Sequence, residues 1–276
     1  MAMKERPKKH HVKNDPAPAL QPGDIEYEMG VPFPGVILPP EQWAATALHP
    51  LPDGLLDLDS LFGRKAPRVL EIGCGNGRFI VSSAVRRPEV DHIGIDSLPA
   101  VIRYATRRGK QRGLHNTRFA VCDGMAFLKK HCADTSLSEI HVYHPQPFHD
   151  SRDHQRRLLK PEFFLEVHRV LEPRGLFVLQ TDSRAYWEYA QPIAQSFFDW
   201  TVQEGPWPED PHGRSRREKF AEDRKLTVYR GFGTRREEFG NDELIALAAT
   251  LPQPEFQSER EPAPKPYKRP YRRRRN

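Results

Sequence analysis

The chain has 276 residues, 27 prolines, a formal net charge of +6 and a hydrophobic fraction of 37%. That fraction is below the ~45–50% of an average globular chain, which predicts a folded middle between polar ends. No apolar run is long enough for a membrane span, and no apolar stretch of a secretory signal follows the basic start. The positive charge suits an acidic partner, nucleic acid first, although charge alone equally fits a solvated surface with a basic tail. Cys74, Cys122 and Cys132 lack the spacing of a zinc site or a disulfide framework, which favours a reducing cytoplasm.

Composition divides the chain into three parts. Residues 1–50 are polar and proline-rich, and we expect them to be extended, with Val36, Ile37, Leu38 and Trp43 lying on the core. Residues 51–240 have the composition of an ordinary globular domain. Residues 241–276 are predicted to form a helical remnant and then a disordered basic tail, because basic residues there alternate with Pro and Tyr and no acid follows Glu261.

Strand-like and helix-like segments alternate along the middle of the chain. The predicted strands are, in order, VLEI, HIGID, TRFAVCD, IHVYH and LFVLQTD, and then TVQEG and KLTVYRG as a final antiparallel pair. The segments between them have helical periodicity, and the helix PEFFLEVHRVLEPRG is predicted to end at its Pro and Gly. This alternation predicts a doubly wound α/β fold with a mainly parallel, seven-stranded sheet.

The sequence VLEIGCGNG is the most specific local signal. Gly73, Gly75 and Gly77 directly follow a strand and open a helix, where glycine permits a tight turn and a close approach of backbone to a ligand. A dinucleotide-binding loop is the alternative. Against it, Glu71 stands where such loops usually carry an apolar residue, and the spacing is GxGxG rather than GxGxxG.

Carboxylates end the next two predicted strands. Asp96 ends HIGID, where it can accept hydrogen bonds from both ribose hydroxyls of a nucleoside, and Asp123 ends FAVCD, where it can accept from the amine of adenine. Each residue alone fits a helix cap or a solvated turn. Ligands of open α/β sheets bind outside the carboxyl ends of the strands, so the coincidence with the glycine turn favours a nucleoside pocket.

These residues resemble the class I S-adenosylmethionine-dependent methyltransferases. EIGCGNG is similar to their first motif, and Asp96 and Asp123 match their ribose and adenine positions. The resemblance implies a Rossmann-like sheet and S-adenosyl-L-methionine as cofactor, a sulfonium cation that suits an acidic residue ahead of the glycines. The implied cofactor-binding residues are Glu71, Gly73, Gly75, Gly77, Asp96, Asp123 and Gly124.

The fourth strand runs into YHPQPFHDSRDHQRR, at the edge where an acceptor would lie. This stretch resembles the bacterial-type tRNA (guanine-N7-)-methyltransferases, whose pattern is Phe-Pro-Asp-Pro-Trp followed by Arg-His-x-Lys-Arg-Arg. LLKPEFFLEVHRVLEPRGLFVLQTD and RREKFAEDR are similar to later segments of that family, so the resemblance covers about residues 60–235. It implies methyl transfer to N7 of a guanine, in the variable loop of tRNA.

The chain departs from the family pattern at several acceptor positions. Gln146 replaces the acid between the prolines, Phe148 replaces Trp and Asp150 replaces Lys. Ala221 stands where Thr-Lys-Phe-Glu has its acid, unless a shift of one residue brings in Glu222. Gln146 can still accept from the N1–H or N2–H edge of guanine, but without charge assistance, a loss of about tenfold or more.

The resemblance implies catalytic roles for Gln146 and Asp182. It also implies that Phe148 stacks on an extruded base and that the loop arginines face phosphates. The implied substrate-binding residues are Phe148, Asp150, Arg152, Arg156, Arg157, Asp182, Lys219 and Phe220.

Three alternatives stay open. The chain could be a relative that grips RNA but has lost turnover, a methyltransferase of the same fold with another acceptor, or a metalloprotein using the four histidines of the loop region. We do not expect a metal, because His141 and His144 should point to opposite faces of a strand and no cysteine assists. The expected partner is tRNA, with no membrane and no metal, and the expected assembly is a monomer or a homodimer.

Overall fold

A seven-stranded sheet organises the molecule, in the order β5-β4-β3-β6-β7-β9-β8. The computed structural model describes residues 19–257. The strands are β1 Ile25–Glu28, β2 Val31–Val36, β3 Arg68–Ile72, β4 Asp91–Asp96, β5 Thr117–Val121, β6 Leu137–Tyr143, β7 Leu171–Thr181, β8 Phe198–Val202 and β9 Tyr229–Arg235. Strands β3 to β7 pair in parallel, whereas β9 is antiparallel to both β7 and β8. The predicted sheet with its antiparallel final pair is confirmed.

Helices cover both faces of this sheet. The helices are α1 Leu58–Phe62, α2 Arg78–Arg86, α3 Pro99–Gln111, α4 Gly124–His131, α5 Pro161–Val170, α6 Arg184–Phe197, α7 Arg216–Asp223 and α8 Asn241–Thr250, with short 3-10 turns at Pro40–Gln42 and Ser151–Arg156. One apolar core lies under α4, α5, α6 and α8 and contains Phe163 and Trp187. The other lies under α2 and α3 and contains Phe79 and Ile102. Within residues 19–257, no helix is both long and apolar enough to cross a bilayer.

Two element boundaries differ from the sequence-based expectation. Helix α5 ends at Val170, several residues before Gly175, because Pro173 disfavours helical backbone at the residue before it. Leu171 then pairs with Leu137, so β7 begins directly after the helix. Strand β8 likewise begins at Phe198, inside the segment expected to be helical.

The N-terminal segment forms a hairpin rather than a merely extended stretch. Strands β1 and β2 pair antiparallel, and Phe33 in β2 is buried. The Arg108 guanidinium lies 3.9 Å from the Phe33 ring centroid, and Arg112 lies 4.9 Å from it. Ile37 is buried as expected, whereas Val36 is exposed.

Candidate active site at the carboxyl edge of the sheet

The glycine turn links the end of β3 to the start of α2. Gly77 has φ 80° and caps α2, and a Cβ placed on it would lie 2.9 Å from Cβ of Ala105 in α3, so only glycine fits there. A Cβ on Gly73 or Gly75 would meet no atom within 4 Å. Gly77 therefore serves helix packing, while the backbone at Gly73 and Gly75 borders open space that a ligand can enter.

Asp96 ends β4 beside this turn. Its Oδ2 accepts a hydrogen bond from the Gly75 amide at 3.0 Å, and its Oδ1 accepts from the Leu98 amide at 2.9 Å. Each carboxylate oxygen has more than one acceptor site, so both can still receive a ligand hydroxyl. The carboxylate is thus fixed beside the glycine turn, and its contact with a ribose stays a prediction.

Asp123 follows β5 and caps helix α4. Its Oδ1 accepts from the Ala126 amide at 3.0 Å, so the helix-cap interpretation holds for this oxygen. None of the described residues donates a hydrogen bond to the other carboxylate oxygen of Asp123, Oδ2. Gly124 is buried, and a Cβ placed on it would lie 2.5 Å from Ile72 Cγ2, which gives this glycine a packing role.

Glu71 lies in β3 just before the turn and is buried, with 2% of its surface exposed. Burial and the nearby Asp96 carboxylate raise its pKa well above the usual value. Its Oε2 receives no hydrogen bond from the described residues. Burial therefore opposes ionisation of this carboxyl, and a positive charge close to it would favour ionisation.

The stretch after β6, residues 144–157, is the loop predicted to face the methyl acceptor, and it is called the acceptor loop below. His144 and Phe148 have positive φ values of 52° and 43°, uncommon for residues with side chains. Gln146 is exposed between its two prolines. Phe148 is half-buried, and the Arg156 guanidinium covers its ring at 4.6 Å from the centroid. A base stacking on that face of Phe148 would have to displace Arg156.

Arg157 differs from the exposed phosphate-binding residue that the sequence suggested. Its side chain is 2% exposed and donates to the carbonyls of Pro147, at 2.7 Å, and Phe148, at 2.7 Å. It also donates to the carbonyl of Pro254 and lies 3.9 Å from the Phe256 ring centroid. Arg157 therefore fastens the acceptor loop to the segment after α8 and does not reach solvent.

Asp182 follows β7 at the same edge. Its Oδ1 lies 2.8 Å from His144 Nδ1, and its Oδ2 accepts from Arg217 Nε at 2.9 Å. Burial opposes ionisation, but the His144 hydrogen bond and the Arg217 charge outweigh it and lower the pKa of Asp182. The carboxylate is thus held ionised and fixed in position.

The other predicted substrate-binding residues lie around this centre with partners of their own. Asp150 pairs with the exposed Arg152 at 2.6 Å. Lys219 in α7 pairs with Glu222 at 2.7 Å. The guanidinium of Arg224 lies over the Phe220 ring, 4.0 Å from the ring centroid. None of the described residues forms a group of three or more side chains suited to a metal ion.

The chain matches known methyltransferases over this region. The family model described as "Putative methyltransferase" covers residues 65–227, more than half of the chain. A tRNA (guanine-N(7)-)-methyltransferase of Alkalilimnicola ehrlichii is 35% identical over 179 residues, 64% of this chain and 76% of that protein. The chain belongs to this methyltransferase family.

Other family members match over a shorter stretch. The tRNA (guanine-N(7)-)-methyltransferase of Pseudomonas entomophila is 37% identical over 149 residues, 54% of this chain and 62% of that protein. The match thus spans less than two thirds of that relative. Among solved structures, the 16S rRNA methyltransferase KamB aligns with a TM-score of 0.49 and 16% identity, over 66% of this chain and 95% of that one.

Sequence reasoning missed a buried polar cluster behind the acceptor loop of this family member. Gln180 in β7 is fully buried and contacts His144, Trp207 and Arg230. Arg230 also donates to Glu218 at 2.7 Å. The one local signal for this cluster is a polar Gln in the apolar strand LFVLQTD.

Proposed function

We propose that the protein transfers a methyl group from S-adenosylmethionine to N7 of a guanine in tRNA, at the variable loop. One observation carries the proposal. The glycine turn, Asp96 and Asp123 follow β3, β4 and β5, while the acceptor loop and Asp182 follow the adjacent β6 and β7. Donor-side and acceptor-side groups therefore line one continuous edge of five parallel strands, which is where open α/β sheets bind their ligands.

The residues present suit this cofactor. S-adenosylmethionine supplies an electrophilic methyl group on a sulfonium. The open backbone at Gly73 and Gly75 and the fixed Asp96 carboxylate suit its methionine and ribose parts, and Asp123 Oδ2 suits its adenine amine. The buried carboxyl of Glu71 ionises more readily beside a positive charge, which favours a cationic ligand over a diphosphate.

The acceptor side needs little acid–base chemistry. N7 of guanine has a free lone pair, so positioning supplies most of the rate enhancement. Asp182 is an ionised carboxylate that can balance the positive charge developing on the guanine ring. Gln146 is exposed in the loop, where its amide oxygen can accept from the N1–H or N2–H edge of the base.

Arginines around Asp182 provide the proposed grip on RNA. Arg152, Arg156 and Arg184 have strongly exposed side chains, and Arg217 is about one third exposed. The first three form ion pairs with acids within four residues, and exposed pairs of this kind stabilise by only about 0–1 kcal/mol. Replacing these carboxylate partners by phosphates of the RNA therefore loses little interaction free energy.

A second candidate is an RNA-binding relative without turnover. Gln146, Asp150 and Ala221 favour it, since each replaces a charged residue of the family pattern, and Ala221 is fully buried. For either function we place the protein in the cytoplasm, where its three free cysteines would stay reduced. We propose a monomer or a homodimer.

Methyl transfer to unmodified tRNA tests the proposal. Purified protein, labelled S-adenosylmethionine and tRNA transcripts should yield 7-methylguanosine, detected by nucleoside mass spectrometry. Asp182→Ala should abolish transfer, whereas Asp199→Ala, at an exposed position in β8, should leave it intact. Tight tRNA binding by an inert wild-type protein would favour the RNA-binding relative, and methylation of a different atom would reassign the acceptor.

A further inference from the structure

His144 occupies a tightly defined position between β6 and the acceptor loop. Its amide donates to the Gln180 carbonyl at 2.7 Å, and its side chain is only 3% exposed. Both ring nitrogens have partners, since Nδ1 lies 2.8 Å from Asp182 Oδ1 and Nε2 lies 2.9 Å from Gln180 Nε2. Which of the two ring nitrogens carries the proton therefore depends on whether Gln180 directs its amide NH2 or its amide oxygen at the ring.

The surroundings of Gln180 fix that direction. Its Oε1 lies 2.6 Å from Trp207 Nε1 and 3.2 Å from Arg230 Nε, and both of these nitrogens can only donate. A hydrogen bond from Gln180 also helps to lower the pKa of Glu218, although burial works against this. The amide group of Gln180 therefore donates on the side that faces His144.

The tautomer of His144 follows from this arrangement. Because Gln180 Nε2 donates, His144 Nε2 has to accept, and the single ring proton lies on Nδ1, where it is donated to Asp182. Protonating Nε2 would bring two donors face to face. Arg217 and Arg230 are the nearby positive groups, and Asp182 and Glu218 are the negative ones.

We propose that His144 is a positioning residue for methyl transfer, locked by Gln180 in the neutral Nδ1–H form so that it aims the Asp182 carboxylate at the acceptor base. This role rests on the proposed function. His144 holds one oxygen of Asp182 and Arg217 holds the other, so without His144 the orientation of the carboxylate would depend mainly on Arg217. The side chain of Arg217 is about one third exposed, so it is also drawn to phosphate. His144 therefore keeps the carboxylate in place when RNA competes for Arg217.

The tautomer can be tested without any activity. In ¹⁵N-labelled wild-type protein, long-range proton–nitrogen correlation spectra should show His144 with a protonated Nδ1 and an unprotonated Nε2. The His144→Asn variant assigns the signal. A ring protonated at Nε2, or at both nitrogens, would overturn the locked tautomer.

Kinetics test the positioning role. His144→Phe removes the donor, and His144→Asn keeps a donor near the place of Nδ1. We expect kcat on tRNA to fall about tenfold or more in His144→Phe and to recover largely in His144→Asn, with S-adenosylhomocysteine affinity unchanged in both. Equal kcat in wild type and His144→Phe, or equal losses in the two variants with a matching fall in thermal stability, would reduce His144 to a structural residue. A wild-type protein inert on tRNA would overturn the proposed function and this role together, while the spectra would still decide the tautomer.

Discussion

At the residue scale, most of the proposed site consists of carboxylates held by backbone amides or by arginines. Asp96 accepts from the amides of Gly75, in the glycine turn, and Leu98, in its own turn, and Asp182 accepts from His144 and Arg217. Fixed carboxylates lose little freedom when a ligand binds, so each contributes more to binding than a mobile side chain would.

The Asp96 carboxylate should decide cofactor affinity. In Asp96→Ala the ribose hydroxyls lose their acceptor and the Gly75 amide loses its partner, so S-adenosylhomocysteine binding should weaken by ~1–3 kcal/mol. Calorimetry on the purified variant measures this. Asp59→Ala, in α1 at the opposite edge of the sheet, is the matched control. Unchanged affinity in Asp96→Ala, or tighter binding of NAD than of S-adenosylhomocysteine, would contradict the pocket assignment.

Gln146 offers a test of gained function. Gln146→Asp places a charged acceptor in the exposed proline-rich turn, where it can face the base edge, and transfer to tRNA should rise about tenfold. Single-turnover methyl transfer measures the change, and Gln155→Asp, an exposed position of the same loop, controls for added charge. An unchanged rate with Gln146→Asp would place Gln146 away from the base.

At the element scale, the acceptor loop depends on a segment remote in sequence. Arg157 bonds two carbonyls of the loop and the carbonyl of Pro254, 97 residues later. The planar fork of arginine serves these acceptors together, which the single ammonium of lysine cannot do. The segment after α8 is therefore part of the proposed site.

Arg157→Lys should loosen the loop. We expect faster proteolytic cleavage within 144–157 and a fall of about tenfold in tRNA methylation, with S-adenosylhomocysteine binding retained because the glycine turn and Asp96 lie on other strands. Arg174→Lys, at the exposed amino end of β7, is the control. Equal protease sensitivity in wild type and Arg157→Lys would show that the loop holds its shape without the arginine fork.

The sequence predicted those parts of the fold and site whose signal is local. The glycine turn, each strand-end aspartate and each change from strand to helix can be recognised from residues that are neighbours in sequence. The hairpin Ile25–Val36 was missed because prolines flank Phe33 and hide the alternation typical of a strand. Burial of Arg157, and the contacts of Gln180 with His144 and Arg230, depend on residues 36 to 97 positions away. No local pattern reports such pairings.

At the scale of the whole molecule, the buried histidines should make the protein sensitive to acid. Burial and the nearby Arg87 lower the pKa of His92 to about 3, and burial lowers the pKa of His141 to about 4 despite its bond to Glu139. Both values lie below the 6.5 of an ordinary histidine, so the unfolded chain binds more protons once the pH falls below 6.5. The free energy of unfolding should then fall by about 1.4 kcal/mol per pH unit for each histidine, down to about pH 3 for His92 and about pH 4 for His141.

Urea unfolding between pH 4.5 and pH 8 measures this slope. His141→Gln should reduce the loss below pH 6.5, whereas His115→Gln, at an exposed position, should not. A slope equal in all three proteins would assign the acid sensitivity to the carboxylates, whose stabilising charge is also lost as the pH falls.

The basic tail supports a prediction about long-range electrostatics. Residues 262–276 lie outside the described residues and carry seven basic side chains, Lys265, Lys268, Arg269 and the four arginines 272–275. Removing them should make the slope of log affinity for tRNA against log salt concentration less steep, by about 0.7–0.9 for each phosphate that the tail neutralises. Cofactor binding should be unchanged. Filter binding from low to high salt measures the slope, and a tail of equal length with Ser in place of Lys and Arg controls for bulk. An unaltered slope would assign the tail another role.

The bond between Arg157 and the Pro254 carbonyl also sets an order of events during synthesis. The cofactor-side residues all precede residue 125, so this part of the chain leaves the ribosome before the acceptor side does. Asp182 cannot form its hydrogen bond with Arg217, nor Gln180 its hydrogen bond with Arg230, until those later residues are synthesised. The acceptor loop likewise lacks its contact with Pro254 until then. A nascent chain would thus be able to hold a nucleoside well before it could position a base. Ribosomes stalled at successive lengths should gain affinity for S-adenosylhomocysteine first and methyl transfer only after the segment beyond α8 has emerged.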